Sequence, residues 1–268
     1  MPSTEYETLL VKKEDHIATL ALNRPERLNS INAKMMEELP LALHRIAQDK
    51  DVRVLILTGA GRAFCAGGDI SQPADSSGFG TTVQEISHGL LHVYKGTTLQ
   101  LFNMEIPTIA MVNGVATGWG FDLALACDLR IGSDKARFRV SFTAVGLTPA
   151  TGGVWLMPRV MGLPKAAELI FTADFVDAGE AQRLGVLNKV VPVDKLESET
   201  LAVAKRIANG PPIALRLSKM QLYRGLETDL PAALDTSAAC QAICITSEDH
   251  KEAVAAFGQK REPVFKGK

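Results

Sequence analysis

Two glycine-bearing segments, each following a short apolar run, are the places where backbone amides of this sequence could do chemistry. The first is Ala63-Phe64-Cys65-Ala66-Gly67-Gly68-Asp69-Ile70, downstream of Val52 to Leu57. The second is Asn113-Gly114-Val115-Ala116-Thr117-Gly118-Trp119-Gly120-Phe121-Asp122, directly after Ile109 to Val112. Glycine admits positive φ and lets a backbone approach a ligand closely. A helix start adds unsatisfied N–H groups at the positive end of its dipole. Two such loops side by side at strand ends could aim two N–H groups at one oxygen, which is an oxyanion hole. The plainer alternative is that both merely reverse the chain. Neither segment fits Walker A or G-x-G-x-x-G, which disfavours phosphate cradling of that kind.

Side chains able to move a proton are few near these loops. Asp122 ends the second segment, either as an acid/base group or as a first-turn acid offsetting the helix dipole. His88 and His92 stand i, i+4 and share a face of a helical stretch that also carries Lys95. Each histidine could supply a proton or simply be solvated. His250, Asp128 and Cys65 read as structural. The four cysteines, Cys65, Cys127, Cys240 and Cys244, lack paired metal-site spacing, so no metal is expected and buried thiols in a reducing compartment are.

The elements that must position these residues follow from periodicity. Tyr6 to Val11 and Ile17 to Leu22 alternate as two strands of a hairpin turning at Lys12 to His16. A helix is predicted from about Asn32, its apolar stripe formed by Ile31, Met35, Leu39, Leu43 and Ile46, with Pro40 kinking or splitting it. Val52 to Leu57 and Ile109 to Val112 read as strands buried on both faces. Residues 71 to 82 read as a mobile loop, and Val83 to Phe102 as a helix. Gly118-Trp119-Gly120 opens an apolar helix, and Leu129 to Val145 gives short strands and turns. Pro164 to Thr172 and Ala178 to Leu184 read as helices, Val186 to Val191 as a strand. From Asp194 the pattern is helical to about Phe257, broken at Gly210-Pro211-Pro212 and at Pro231.

A length of 268 residues fits one α/β domain with a small appendage. A hydrophobic share of 46% against 22% charged excludes a disordered chain, and a net charge of −1 gives no footprint for nucleic acid or an acidic membrane. No apolar run reaches the ~20 residues of a membrane helix, and Met1 to Leu10 lack a signal-peptide pattern, so a cytoplasmic location is expected.

A series of motifs in order narrows the reading. Asn23-Arg24-Pro25 with Leu28-Asn29 is followed by Leu57-Thr58-Gly59-Ala60-Gly61-Arg62-Ala63-Phe64 and Ala66-Gly67-Gly68-Asp69-Ile70. Ile106-Pro107-Thr108-Ile109-Ala110-Met111-Val112-Asn113-Gly114 and Leu123-Ala124-Leu125-Ala126-Cys127-Asp128-Leu129-Arg130 come next. Gly179-Glu180-Ala181, Gly185-Val186-Leu187-Asn188-Lys189-Val190-Val191 and Phe257 through Phe265 end the series. Over nearly its whole length the chain resembles the crotonase superfamily, the enoyl-CoA hydratase/isomerases.

That resemblance implies an α/β crotonase-like spiral of β-β-α units, with residues 1–194 as the acyl-CoA-binding core and 195–268 as a helical trimerisation region. It implies a homotrimer or dimer of trimers, fatty acid metabolism, a coenzyme A thioester as substrate and no prosthetic group. The oxyanion donors fall at Gly68 and Trp119. Tryptophan replaces the usual glycine there, its indole either shaping the acyl pocket or anchoring the core. CoA contacts fall at Arg27, Leu28, Ala66, Asp69 and Ile70, with Phe257 and Lys260 added from the C-terminal helix, Lys260 often serving a neighbouring subunit. In relatives the helix carrying His88 and His92 borders the acyl pocket.

Hydratases of the family use two glutamates, one to activate water and one to handle the α-proton. Here the first position is Asp122, one methylene (~1.5 Å) shorter, and a misplacement of about 1 Å can be costly. The second is Phe142, in Arg139-Val140-Ser141-Phe142-Thr143 where Gly-Gln-Pro-Glu is usual. Some isomerases carry their acid, and aryl-CoA dehalogenases their nucleophile, at the place held by Ala150. Dienoyl-CoA isomerases match Asp122 but need acids at Phe142 and Ala150. Decarboxylating members need chiefly an oxyanion hole and one proton donor. The expectation is therefore a lyase or isomerase with one-acid chemistry, isomerisation or decarboxylation. Hydration with a non-standard acid/base set and a catalytically silent acyl-CoA-binding subunit are the alternatives.

Overall fold

The computed structural model describes residues 6–71, 79 and 81–268; most of the expected loop at 71–82 lies outside the described residues. Strands β1 (Leu9–Glu14) and β2 (Ile17–Leu22) form the expected hairpin, but β1 starts and ends three residues later than expected, so the turn narrows to Asp15-His16. They begin a six-stranded sheet with β3 (Val54–Gly59), β5 (Thr108–Val112), β7 (Leu129–Ser133) and β10 (Lys189–Val191), in the order β1-β2-β3-β5-β7-β10. All neighbours after β1 are parallel. A second sheet has the order β4-β6-β8-β9, from β4 (Ala63–Cys65), β6 (Val115–Thr117), β8 (Arg137–Arg139) and β9 (Phe175–Asp177). Three strands of the first sheet are thus each followed by a short strand of the second: β3 by β4, β5 by β6, β7 by β8. This is the spiral of β-β-α units.

The continuous apolar runs are explained by burial on both faces. Leu55 and Leu57 of β3 point into the core between the sheets, while Val54 and Ile56 join a second core. Ala110 and Val112 of β5 divide from Ile109 in the same way. The second core is closed by Leu196, Ala204 and Ala208 of helix α8 (Leu196–Ala208). Successive strand side chains face opposite sides, so a strand covered twice has no polar alternation to show.

Helix α1 (Ala33–Gln48) runs through Pro40 as one helix, so the expected split does not occur. Asn32 caps it, its side chain accepting from Met35 N–H at 3.0 Å. Five buried apolar side chains, Met35, Leu39, Ala42, Leu43 and Ile46, hold its inner stripe. That burial outweighs the one hydrogen bond Pro40 omits and its ring clash, ~3 kcal/mol together. Helix α2 (Val83–Tyr94) continues through a π turn (Lys95–Leu99) into α3 (Gln100–Phe102), so the predicted single helix holds with one widened turn. Helices α4 (Trp119–Ala126), α5 (Gly153–Met161), α6 (Leu163–Thr172) and α7 (Ala178–Arg183) separate the later strands. The strand expected at Val186 to Val191 shortens to Lys189–Val191. Beyond α8, α9 (Pro212–Gly225), α10 (Leu230–Thr246) and α11 (Glu248–Gln259) complete the helical C-terminal region. Among the described residues no helix is long and apolar enough to cross a membrane.

Candidate active site

The two glycine-bearing segments meet. Strand β4 pairs in parallel with β6, and Thr117 Oγ1 donates to the Ala66 carbonyl at 2.8 Å. Gly67 has φ of +91°, and a Cβ on it would lie 3.6 Å from the Trp119 nitrogen. The next residue, Gly68, forms a parallel bridge with Ile31. The bridge uses the Gly67 carbonyl, accepting from Ile31 N–H at 2.7 Å, and Asp69 N–H, donating to the Ile31 carbonyl at 2.9 Å. Peptide groups alternate in direction along extended chain, so the Gly68 N–H faces away from Ile31. Neither it nor the Trp119 N–H donates to any acceptor among the described residues. The space beside the Gly68 α-carbon is open.

Gly118 aims the second donor. It stands at the N-cap of α4 with φ of +52° and ψ of −122°, its own N–H donating to Arg139 O at 2.9 Å. A Cβ there would lie 2.8 Å from Ser141 Oγ and 3.7 Å from the Phe142 ring. Gly118→Ala is expected to cost about 1–3 kcal/mol in urea denaturation. Gly146→Ala, also at positive φ (+73°) but with nothing within 4 Å, should cost only the backbone strain, about 1–2 kcal/mol. Equal losses would show that the contact with Ser141 and Phe142 does not matter.

Asp122 lies in the first turn of α4, a helix whose residues are all buried, and is itself only 2% exposed. Its Oδ2 accepts from the Thr151 hydroxyl at 2.5 Å and from Gly153 N–H at 3.0 Å. Gly153 is the first residue of α5, so the carboxylate also meets the positive end of that second helix. Burial, the dominant cause, raises its pKa to about 7, against the pull of the two hydrogen bonds. A carboxyl titrating near neutrality suits general acid/base work. Burial, and then the charge of Asp122, also raise the nearby Tyr94 phenol.

The Trp119 indole is 4% exposed and belongs to the core. Its Nε1–H donates to Thr98 Oγ1 at 3.3 Å, and its ring meets Tyr94 edge-on at 5.6 Å. Thr98 and Tyr94 line a cavity of about 550 Å³, together with Phe102, Ala150, Thr151 and Trp155. The indole thus anchors the core and acts on the cavity through its neighbours. Phe142 is half-buried beside Gly118, and Phe121 packs on Phe138 in the core. Lys95 reaches the cavity; His88 and His92 are exposed and do not line it.

The other named residues separate into two places. Arg27 and Ile70 are exposed, and Leu28 has φ of +50° at the end of a 3-10 turn. Ala66 donates to the Leu28 carbonyl at 2.9 Å, tying this group to the Gly68 loop. The Asp69 carboxylate is engaged within the loop, with Ser71 Oγ at 2.6 Å and Arg24 Nη1 at 2.9 Å. Ser71 first and Arg24 after it, against the opposing effect of burial, hold its pKa down to about 2. Phe257, 89% exposed, and Lys260 sit at the far end of α11, and among the described residues no hydrogen bond or ion pair joins them to this group. Among the described residues no cluster of three or more His, Cys, Asp or Glu could hold a metal.

Sequence reasoning missed α5 and therefore Thr151 and Gly153. The cue was Thr151-Gly152-Gly153 opening an apolar run, obscured by Pro158 within it.

The family profile described as Enoyl-CoA hydratase/isomerase matches residues 12–268. The short-chain-enoyl-CoA hydratase of Clostridium acetobutylicum is 36% identical over 259 residues, 96% of this chain and 97% of that protein. The 1,2-epoxyphenylacetyl-CoA isomerase of Escherichia coli K12 is also 36% identical, over 98% of this chain and 99% of its own. A crystal structure of enoyl-CoA hydratase from Bacillus anthracis superposes with a TM-score of 0.90 at 34% identity, covering 98% of this chain and all of that one. Motif order, spiral fold and full-length similarity agree, and the chain belongs to the enoyl-CoA hydratase/isomerase family.

Proposed function

We propose that this enzyme turns over a CoA thioester through an enolate, with Asp122 as its single acid/base group. Gly68 and Trp119 N–H groups take the thioester oxygen as negative charge develops on it. In isomerisation, Asp122 removes a proton from one carbon of the acyl group and returns it two carbons away, so that the double bond moves. In decarboxylation, loss of CO₂ leaves the electron pair as the enolate, and protonated Asp122 delivers the proton to the α-carbon. The observation that carries this reading is the buried Asp122, lifted to about 7 in the same helical turn as the Trp119 amide. Phe142 and Ala150 supply no second acid. Hydration is the second reading, favoured by the hydratase named above; an isomerase of equal identity leaves the reaction open.

CoA is assigned to Arg27, Leu28, Ala66, Asp69 and Ile70, with Phe257 and Lys260 added from the C-terminal helix, Lys260 reaching the site of a neighbouring subunit. The exposed apolar side chains Leu222, Leu226, Leu230, Leu234 and Ile243 of the helical region support residues 195–268 as a trimer-forming surface.

Crotonyl-, 3-enoyl-, dienoyl- and methylmalonyl-CoA, each incubated with the pure protein, separate these readings. Movement of a double bond or release of CO₂ is the expected result. Crotonyl-CoA hydration at rates above both would replace the one-acid reading, and no turnover of any thioester would favour a silent binding subunit.

A further inference from the structure

We propose that Thr151 is a positioning residue: its hydroxyl holds the Asp122 carboxyl by Oδ2 and so sets the carboxyl's orientation and proton affinity. The inference deepens the reading of Asp122 given above and rests on it.

Both donors to the carboxyl, the Thr151 hydroxyl and the Gly153 N–H, converge on Oδ2, and Oδ1 accepts from neither. Oδ1 instead packs against Gly153, where an added Cβ would meet it before any other atom. Thr151 is only 2% exposed, yet it lines the 550 Å³ cavity that Asp122 itself does not line. The threonine therefore links the carboxyl to the space available to an acyl group. Its own place is fixed by Gly152, the N-cap of α5, at φ of +112°, packed against Thr98. Thr98 in turn accepts from the Trp119 indole. One chain of contacts thus runs from the residue carrying an oxyanion donor to the residue orienting the acid.

An aspartate is shorter by one methylene than the glutamate common in the family, so its reach depends on how the head group is held. A hydroxyl donor also favours the charged carboxylate, opposing the effect of burial. The titratable groups on elements packed against α4 are Tyr94 and Lys95 at the end of α2 and its π turn, Cys65 on β4 and Arg159 on α5. Of these, Tyr94 is electrically coupled to Asp122.

The test compares Thr151→Val, which keeps the shape and removes the hydroxyl, with Thr151→Ser, which keeps the hydroxyl. Two quantities are read: the pH profile of turnover on the best thioester, and the Asp122 carboxyl titration by infrared difference spectroscopy, with Asp122→Asn identifying the band. Thr151→Val is expected to raise the carboxyl pKa by about one unit and lower kcat roughly 10- to 100-fold with KM little changed. Thr151→Ser should restore both. A Val variant with wild-type titration and kcat overturns the proposal, as does a Ser variant no better than Val. If the wild type turns over no thioester but the infrared shift persists, the catalytic reading of Asp122 fails and the hold of Thr151 on its carboxyl stands.

Discussion

Asp122→Asn is expected to lower turnover by about 10²–10⁴-fold while making the fold more stable at neutral pH. Both effects have one cause, the burial that lifts this carboxyl to about 7. The folded protein keeps the proton up to that pH, whereas the unfolded chain releases it in the ordinary aspartate range near 3.9. Between those two values the unfolded state binds fewer protons, so stability falls as pH rises through the window. A shift of this size amounts to about 4 kcal/mol at most by pH 7–8. Asparagine keeps an oxygen for Thr151 and Gly153 and carries no charge, so it escapes the penalty. Urea denaturation of both proteins at pH 4.5 and pH 8 reads this directly: the variant should gain stability relative to wild type only at the higher pH. An advantage independent of pH would place the effect in packing rather than ionisation.

The same titration separates the two one-acid reactions. Proton abstraction needs the carboxylate, so an isomerase should show kcat/KM rising through pH 7. Proton delivery to a decarboxylation enolate needs the acid, so kcat/KM should fall above 7. A profile flat from pH 5 to 9 would remove Asp122 from the rate-limiting chemistry.

Asp128→Ala is expected to destabilise the protein by about 3–5 kcal/mol without touching the cavity beside Asp122. The carboxylate of Asp128 accepts from Thr108 N–H at 2.7 Å, Thr108 Oγ1 at 3.0 Å and Tyr223 OH at 2.7 Å, and pairs with Lys219 Nζ at 2.7 Å. Lys219 is 8% exposed and also donates to the Ile106 carbonyl at 3.0 Å. Burial, then the charge of Asp128, push the Tyr223 phenol upward. One side chain therefore pins α9 of the helical region to the start of β5. Removing it leaves a buried ammonium without its counter-charge, the costly way to break such a pair. Asp128→Asn combined with Lys219→Met should recover most of the loss, since a neutral pair avoids the cost of burying an unpaired charge. A single-variant loss below about 1 kcal/mol, by urea midpoint, would show that α9 is held by apolar packing alone.

What the sequence determined by itself is what near neighbours in the chain control. Alternation, short apolar runs and helical periodicity placed β1 to β3, β5, α1, α4 and the C-terminal helices. Motif order placed Gly68 and Trp119 in one family pattern, and the glycines at 67 and 118 do occupy positive φ. Pro40 does not split α1, because the local rule about its missing N–H meets a helix held by long-range burial of its inner face. The direction of the Trp119 side chain was open for a similar reason: its partners Tyr94 and Thr98 come from another helix. Asp122 shows the division most clearly. Its type and place in the first turn of α4 could be read directly, but Thr151 and Gly153 lie 29 and 31 positions away, just before and at the start of a helix the pattern did not reveal. Burial by segments distant in the chain lifts its pKa, and only the tertiary structure brings them together. The sequence supplied a carboxyl and two amides; the packing around them decided that the carboxyl titrates near neutrality and which of its oxygens is held.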